Sequence, residues 1–261
     1  MKIVVFDLDE TLGYFTELGI FWDCFKNYLK IENNVHLTQA DFNDILDLFP
    51  EFLRPNIINI LTYLKNKKQS KCCHKMMIYT NNQGPKEWAH NIMLYFENKI
   101  KYKLFDQIIA AFKVNGKRVE ICRTTHDKTH HDFIKCTKLP LNAEICFLDD
   151  AVHSEMIKDN IFYINLKPYY YDINFNEMID KFKNSNCGKK FIIDEENFES
   201  IMMDEFKRYN YDCLEKNINE YEVDKILGKQ IMTHLHEFFN KSLKNKTRKN
   251  NTKKNRTRRK Y

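Results

Sequence analysis

Residues 2–12 read KIVVFDLDETL, and this stretch decides the fold class. Lys2–Phe6 is a short apolar run rich in β-branched residues, which is typical of a strand buried on both faces of a parallel sheet. Three acids, Asp7, Asp9 and Glu10, follow it directly. Crowded carboxylates repel one another and resist burial unless a cation or a proton compensates them. Because divalent cations such as Mg²⁺ prefer oxygen ligands, the pattern predicts a metal site at the end of this strand.

Further apolar runs follow along the chain, separated by stretches in which apolar residues have helical spacing. Polar groups come directly after two of them, Thr80 after residues 75–79 and Asp149 after residues 144–148. Parallel strands joined by helices place their carboxyl ends at one edge of the sheet, where ligands bind in open α/β folds. We therefore predict an α/β fold in which Asp7, Thr80 and Asp149 meet at one site. The other predicted strands are residues 104–111 and 161–166.

The pattern Asp7-x-Asp9-x-Thr11 after a buried strand resembles the first motif of the haloacid dehalogenase (HAD) superfamily. Its local spelling, FDLDETL, is most similar to the carboxy-terminal-domain phosphatase branch, which is also described as NLI-interacting-factor-like. The resemblance implies a HAD-like Rossmannoid parallel sheet flanked by helices, with Mg²⁺ as the cofactor. It also implies that Asp7 is the nucleophile, which forms an aspartyl-phosphate, and that Asp9 is the general acid and base. Taken alone, the same residues are compatible with an acidic turn after an ordinary strand.

A second stretch, KMMIYTNNQG at residues 75–84, fits the same family. The family's second motif is an apolar strand that ends in Thr or Ser, so the resemblance implies that Thr80 binds a phosphate oxygen. Asn81 follows in a turn that exposes backbone N–H groups before a helix, and such turns attract anions. We therefore expect Thr80 and Asn81 to bind phosphate. The Thr-Asn-Asn-Gln-Gly spelling is also similar to polynucleotide and histidinol phosphatases of the superfamily, which prefer Thr-Asn-Gln-x-Gly.

The remaining motifs of the family are a lysine and a pair of acids. Lys128 precedes a predicted helix, and a positive charge at this end of a helix is unfavourable. The position is understandable if the ammonium group pairs with an anion elsewhere in the site. The resemblance implies that Lys128 neutralises the nucleophile and the phosphate, with Lys135 and Lys138 as alternatives. It also implies that Asp149 binds Mg²⁺, while Asp150 binds the ion through water or fixes the lysine. The implied metal ligands are Asp7, the backbone carbonyl of Asp9, Asp149 and Asp150.

Residues 1–170 are predicted to form the phosphatase-like core. Within it, residues 12–70 form a helical insert, which is either a small cap over the site or a core-packing layer. Thr38 is expected to cap one helix of the insert, and Pro55 is expected at the first position of another. After the third strand, Asn115-Gly116 is the signal of a type I′ hairpin, which we interpret as a β-hairpin flap beside the site.

Residues 171–243 are predicted to be a helical extension packed on the core, with a short strand at 191–194. Lys241 to Tyr261 contain eleven Lys or Arg and no acid, which leaves 31 basic and 36 acidic residues in the rest of the chain. The basic charge therefore belongs to the end of the chain and not to the body. We predict that residues 244–261 form a disordered basic tail. Such a tail is a nuclear-localisation signal, a tether for nucleic acid or an acidic protein, or a solubilising end.

The cysteines and the apolar runs indicate a cell compartment. Eight cysteines are scattered along the chain without a Cys-x-x-Cys pair, so no zinc ribbon is predicted. We expect free thiols, which suit a reducing cytosol or nucleus. No apolar run approaches the roughly 20 residues that a membrane helix needs, and Lys2 begins a strand and not a signal peptide. These features predict an intracellular protein, cytoplasmic or nuclear, with no membrane contact.

Together the motifs predict a Mg²⁺-dependent phosphatase, that is, a phosphoric monoester hydrolase. A carboxylate nucleophile divides phosphoryl transfer into two easier steps, and a second carboxyl acting as acid and base contributes roughly 10²–10⁴-fold. The family branch favours phosphoserine or phosphothreonine in proteins as the substrate. The alternatives are a nucleic-acid 3′-phosphatase, a small-molecule phosphatase, or a non-catalytic scaffold that binds acidic partners through its tail. The intact set of acids argues against the scaffold, since an inactive site could lose its crowded charges.

Overall fold

The computed structural model describes residues 1–32, 36–213 and 216–241, and in these ranges strands and helices alternate along the chain. The strands are β1 (Lys2–Phe6), β2 (Lys75–Tyr79), β3 (Gln107–Ile109), β4 (Lys113–Val114), β5 (Lys117–Arg118), β6 (Glu144–Asp149) and β7 (Ile161–Asn165). The helices are α1 (Thr16–Glu32), α2 (Gln39–Asp47), α3 (Ile57–Gln69), α4 (Lys86–Ile100), α5 (His130–Thr137), α6 (Phe175–Lys183), α7 (Asn186–Phe191), α8 (Glu195–Tyr209) and α9 (Ile218–Asn240). Short 3₁₀ helices cover Pro50–Phe52 and Ser154–Met156.

Five of these strands form one parallel sheet in the order β3-β2-β1-β6-β7. Strand β1 lies at its centre, with Val5 opposite Met77 of β2 on one side and Phe147 of β6 on the other. All three residues are almost completely buried, as expected for strands covered on both faces. The predicted α/β class with a parallel sheet flanked by helices is confirmed, and the architecture is Rossmann-like.

Successive side chains of the central strand point to opposite faces of the sheet. Val4 and Phe6 enter the larger apolar cluster, which contains residues of α1 to α4 and of α6 to α9. Ile3 and Val5 enter a smaller cluster on the other face, to which α5 contributes Phe133. The sheet is therefore covered by a thick helical layer on one side, and by α5 and the 3₁₀ turn at Ser154–Met156 on the other.

Aromatic side chains join the helical insert to the C-terminal helices. The ring centroid of Phe25 in α1 lies 4.8 Å from that of Phe182 in α6 and 6.4 Å from that of Phe198 in α8. Phe21, one turn earlier, lies 5.3 Å from Phe182. All four rings are fully buried, and edge-to-face contacts of this kind stabilise the core beyond the burial of their area. Helix α1 of the insert therefore packs in the core of the protein.

The last described helix is fastened to the first strand of the sheet. Lys2 Nζ donates to the backbone carbonyls of Phe238 (2.5 Å), Phe239 (3.0 Å) and Lys241 (3.0 Å). Carbonyls at the end of a helix lack partners within it, and the helix dipole favours a cation there. The contact therefore satisfies the last turn of α9 and ties the predicted C-terminal extension to β1.

Two predicted features between β2 and α5 have different outcomes. Strand β3 is shorter than the predicted residues 104–111. Just before it, the side chain of Asp106, and not a backbone carbonyl, accepts from the backbone N–H of Met76 (2.9 Å). The predicted hairpin is confirmed, since β4 and β5 pair antiparallel. Asn115 and Gly116 at its tip both have positive φ, 49° and 76°, as a type I′ turn requires.

One helix prediction and one strand prediction are wrong in the structure. Helix α3 begins two residues after Pro55, because Asn56 has a left-handed backbone (φ 69°) that interrupts the helical path. The strand predicted at 191–194 is absent from the described structure of that segment, where Ser185 caps the short helix α7 instead. The last residue of α7 packs its ring 5.5 Å from that of Phe25, so a tertiary contact overrides the local preference for a strand.

The expectation of free thiols is wrong for one pair of cysteines. Cys122 and Cys136 form a disulfide, whereas the other six cysteines are free. The two residues lie 14 positions apart, one after the hairpin and one in α5, and only the packing of these elements brings their sulfur atoms together. A spacing of this length without a recognisable motif does not identify a pair from the sequence.

The basic tail that the sequence predicts, residues 244–261, lies outside the described residues. Helix α9 ends at Asn240, slightly before the predicted end at residue 243, which also lies outside them. Among the helices of residues 1–32, 36–213 and 216–241, none is both long enough and apolar enough to cross a bilayer.

A buried carboxyl in α1 makes the stability of the fold depend on pH. Glu17 is fully buried and accepts hydrogen bonds from the backbone N–H of Ile173 (2.7 Å) and from the thiol of Cys213 (3.0 Å). Burial raises the pKa of Glu17 from 4.5 to about 7, an effect larger than the opposing effect of these hydrogen bonds. Because the folded chain holds this proton more tightly, stability is full below about pH 4.5 and falls as the pH rises to about 7.

We therefore expect Glu17→Gln to raise the free energy of unfolding at about pH 8 by up to about 3 kcal/mol. The amide keeps the acceptor oxygen but carries no charge, so the fall in stability between pH 4.5 and 7 should become flatter. Chemical denaturation at several pH values measures both effects, and Glu87→Gln, at an exposed position of α4, is the matched control. An unchanged pH slope in Glu17→Gln would show that another group is responsible.

Candidate active site

The candidate site lies at the carboxyl ends of β1 and β6. Asp7 directly follows β1, and its backbone N–H donates to the carbonyl of Leu148 in β6 (2.9 Å). Asp149 is the last residue of β6, so the two acids stand at the ends of neighbouring parallel strands. This edge is where open α/β sheets bind ligands. Water has little access to either acid, since Asp7 is 8% and Asp149 0% exposed.

The ammonium group of Lys128 joins these two carboxylates. Lys128 Nζ lies 2.5 Å from Asp7 Oδ1 and 2.7 Å from Asp149 Oδ2, and the residue is almost completely buried. The alternatives Lys135 and Lys138 are exposed. Of the three lysines that the sequence offers, Lys128 is thus the one in contact with the acids. A charge-assisted pair of this kind, shielded from water, holds both carboxylates in fixed positions.

A third carboxylate completes a cluster of oxygen atoms. Asp150 accepts a hydrogen bond from the hydroxyl of Thr11 (3.1 Å), and carboxylate oxygens of Asp7, Asp149 and Asp150 lie within 4.8 Å of one another. Three carboxylates against the single ammonium of Lys128 leave negative charge that a cation would offset. Carboxylate oxygens are hard ligands of the type that Mg²⁺ and Ca²⁺ prefer, so these residues could hold a divalent metal ion.

The loop after β1 is held in shape by a buried arginine. Arg54 is almost completely buried and donates to the backbone carbonyls of Thr11 (2.6 Å), Glu10 and Lys167 (2.9 Å). Glu10 has a left-handed backbone (φ 57°), which is costly for a residue other than glycine. The contacts of Arg54 thus stabilise a strained loop, and with it the position of Asp9.

The loop after β2 reaches the same edge of the sheet. Thr80 is almost completely buried, and its hydroxyl accepts from the backbone N–H of Asn82 (2.9 Å). The side-chain amide of Asn82 in turn donates to Asp9 Oδ2 (2.8 Å) and so connects this loop to the loop after β1. Asn81, the predicted phosphate ligand, is exposed, and its neighbour Asn82 is the residue that contacts an acid of the site.

Burial and neighbouring charges set the ionisation of the acids in different ways. Burial raises the pKa of Asp7 to about 7, although Lys128 acts to lower it. Burial also raises the pKa of Asp9. At Asp149 burial acts in the same direction, but the contacts from His153 and Lys128 outweigh it and the pKa is lowered. The raised pKa of Asp9 keeps a proton on this carboxyl at a higher pH than usual, as a general acid requires.

Three side chains at this site were missed by the sequence analysis. His153 Nε2 lies 3.5 Å from Asp149 Oδ2, Asn82 contacts Asp9, and the guanidinium of Arg123 donates to the backbone carbonyl of Thr80 (3.0 Å). His153 and Asn82 lie near predicted motifs in the sequence, which is a weak signal. Arg123 has no such signal, because its role depends on how the hairpin and α5 pack.

The chain matches no protein-family model, no curated protein and no solved structure. A functional interpretation therefore depends on the site itself. Its distinguishing features are three clustered carboxylates, one buried lysine between two of them, and a buried threonine at the end of an adjacent strand.

Proposed function

We propose that this protein is a Mg²⁺-dependent phosphomonoester hydrolase in which Asp7 is the nucleophile. The contact of the Lys128 ammonium with both Asp7 and Asp149 carries the proposal, because it places a cation beside a carboxylate at the ligand-binding edge of the sheet. Asp7 suits the role of nucleophile better than Asp149, since 11% of its side chain is exposed against 1%. The resemblance of the sequence motifs to the haloacid dehalogenase superfamily supports the same assignment.

In the proposed reaction a carboxylate oxygen of Asp7 attacks phosphorus and displaces the alcohol, which forms an aspartyl-phosphate. Asp9 gives a proton to the leaving oxygen and later takes one from the water molecule that attacks the phosphorus of this intermediate. Lys128 offsets negative charge on Asp7 and on the transferred phosphoryl group, and the hydroxyl of Thr80 donates to a phosphoryl oxygen. Hydrolysis releases inorganic phosphate and restores the free carboxylate of Asp7.

The carboxylates of Asp7, Asp149 and Asp150, with the backbone carbonyl of Asp9, would hold the magnesium ion. When bound, the ion supplies positive charge to the phosphoryl oxygens. The residues fit such an ion because their three carboxylates are clustered, and among the described residues Lys128 supplies the one ammonium group in contact with them. The hydrogen bond from Thr11 orients Asp150 toward the cluster, so the ligand set is largely formed before metal binding.

Magnesium is expected to stabilise the protein in the absence of substrate, by about 2.7 kcal/mol at a concentration 100 times its dissociation constant. Asp149→Asn should lose most of this gain, because it removes one of three charged ligands. Thermal melting with Mg²⁺ and with EDTA measures the difference. Asp204→Asn, an exposed aspartate paired with Lys207, is the matched control. If Mg²⁺ raises the melting temperature of Asp149→Asn as much as that of the wild type, the ion binds elsewhere.

The proposed substrates are phosphoserine or phosphothreonine in proteins, and nucleic-acid 3′-phosphates or small phosphomonoesters are the alternatives. Initial rates with phosphopeptides, 3′-phosphorylated oligonucleotides and p-nitrophenyl phosphate compare these classes directly. Faster turnover of phosphopeptides supports a protein phosphatase, and faster turnover of oligonucleotides supports a nucleic-acid phosphatase. If no phosphomonoester is hydrolysed with Mg²⁺ present, the hydrolase proposal is wrong, and a scaffold that binds an acidic partner through residues 244–261 becomes the better explanation.

A further inference from the structure

Arg123 contacts two parts of the candidate site at once. The residue is fully buried, and its Nη1 donates to the backbone carbonyl of Thr80 (3.0 Å) at the end of β2. Its Nη2 donates to the backbone carbonyls of His126 (2.8 Å) and Asp127 (3.3 Å). These last two residues directly precede Lys128 in the chain. One guanidinium group therefore bridges the proposed phosphate-binding threonine and the loop that carries the proposed catalytic lysine.

The same guanidinium group lies over the ring of Tyr79 in β2, 4.8 Å from its centroid. The hydroxyl of Tyr79 accepts from the backbone N–H of Thr129 (3.3 Å), and the ammonium of Lys128 lies 6.0 Å from the ring centroid. Arg123 thus acts on backbone carbonyls and on this ring, while Lys128 contacts the acids. The contacts of Arg123 are therefore those of a residue that positions other groups.

Bonds on both sides of Arg123 attach it to α5. On one side Cys122 forms the disulfide with Cys136 in α5. On the other side Thr124 donates through its backbone N–H (2.8 Å) and its hydroxyl (2.9 Å) to the carboxylate of Asp132, also in α5. One of the two attachments that flank Arg123 is therefore a covalent bond that a reductant can break.

The disulfide closes a loop, residues 122–136, that contains both Arg123 and Lys128. We propose that Arg123 is a positioning residue, which holds Thr80 and the loop before Lys128 in place. We further propose that it does so fully only while the Cys122–Cys136 disulfide is intact, so that the oxidised protein is the more active form. The inference rests on the proposed phosphatase function. Opening the loop increases its conformational freedom, so that Thr80 and Lys128 are no longer held at a fixed separation.

The co-reactant is a dithiol, either a small molecule or a protein. Its thiolate attacks one sulfur of the disulfide, the S–S bond breaks, and a mixed disulfide with the reductant forms. The second thiolate of the reductant then attacks this mixed disulfide and displaces the remaining protein thiolate. Two electrons and two protons pass to Cys122 and Cys136, which become thiols, while the reductant becomes a disulfide. Both cysteines are only partly buried, so a reductant can reach them.

Kinetics of the full chain with p-nitrophenyl phosphate, before and after treatment with dithiothreitol, test the inference. We expect kcat/KM to fall about tenfold on reduction, because small displacements of reacting groups have effects of at least this size. Cys122→Ser should show the lower value in both conditions. Cys72→Ser, which removes an exposed free thiol, should keep the wild-type ratio. Equal rates for the oxidised and reduced wild type would overturn the inference.

The ratio of kcat/KM between the oxidised and the reduced protein also tests the role of Arg123. Arg123→Lys keeps the charge but loses the fork of donors that reaches both segments, so its rate should be low and independent of redox state. Arg208→Lys, an exposed arginine paired with Glu205, is the matched control and should keep the wild-type rate and ratio. If kcat/KM of Arg123→Lys still fell about tenfold on reduction, the disulfide would act without the arginine, and the proposed connection would be overturned.

Hydrogen exchange distinguishes failure of this inference from failure of the proposed function. Backbone amides of residues 124–129 are expected to exchange faster after reduction of the wild type, and equally fast in Cys122→Ser without reductant. This readout needs no substrate and no variant of Arg123. Unchanged exchange in this segment would overturn the inference, whereas faster exchange in a protein that hydrolyses no phosphomonoester would contradict only the proposed function.

Discussion

Asp7→Asn is expected to lower kcat for p-nitrophenyl phosphate by about 10⁵-fold or more. Asparagine has nearly the shape of aspartate and still offers Lys128 an acceptor oxygen, so the fold should be retained. Its neutral amide is a poor nucleophile and cannot form the acyl phosphate that the proposed reaction requires. The loss should therefore appear in kcat and not in the folded fraction.

Initial rates with saturating Mg²⁺, together with a thermal melt, measure both quantities for Asp7→Asn. Asp23→Asn is the matched control, because Asp23 is an aspartate on the surface of α1 that pairs with Lys26 (2.6 Å). It should keep the wild-type rate. If Asp7→Asn retained activity within tenfold of the wild type, Asp7 would not be the nucleophile.

Lys128→Met is expected to abolish hydrolysis and to lower the free energy of unfolding by about 3–5 kcal/mol. Methionine fills most of the space of the lysine stem, so a cavity is not the main cause of the loss. The cause is electrostatic: Asp7 and Asp149 are both shielded from water, and the ammonium that contacts them at 2.5 and 2.7 Å is removed. Urea denaturation and initial rates measure the two effects.

Magnesium should restore part of the stability of Lys128→Met, since a divalent cation can offset the same carboxylates. The variant is therefore expected to gain more in melting temperature from Mg²⁺ than the wild type does. Lys135→Met is the matched control in the same segment of chain, because Lys135 is exposed. It should change stability by no more than about 0.5 kcal/mol and leave the rate unchanged. If Lys135→Met abolished hydrolysis and Lys128→Met did not, Lys135 and not Lys128 would be the catalytic lysine.

The central sheet could be predicted because its strands have a strong local signal. Strands β1, β2 and β6 are short apolar runs followed directly by polar groups, a pattern typical of strands buried on both faces. Residues 191–193 have a similar composition, but Phe191 ends a helix and packs against Phe25 of α1. That contact joins residues far apart in the chain, so the local sequence does not reveal it. In short segments, tertiary packing outweighs local preference.

The acids and the lysine of the site could also be predicted, because parallel topology brings the ends of successive strands together. The contact of Asn82 with Asp9 could not, since it depends on the conformation of a loop and not on spacing. The same holds for Arg123 and for the Cys122–Cys136 disulfide, which join the hairpin region to β2 and α5. These contacts are long-range in the chain and leave no periodic pattern.

Detection of a phosphoryl group on Asp7 tests the proposed reaction most directly. In Asp9→Asn the first step with p-nitrophenyl phosphate should persist, because p-nitrophenolate leaves without a proton, whereas hydrolysis of the intermediate lacks its base. After rapid acid quenching, peptide mass spectrometry is expected to show one phosphoryl group on the peptide that contains Asp7. The double variant Asp7→Asn/Asp9→Asn should show none. An unmodified peptide from an Asp9→Asn protein that releases p-nitrophenolate would contradict the aspartyl-phosphate mechanism.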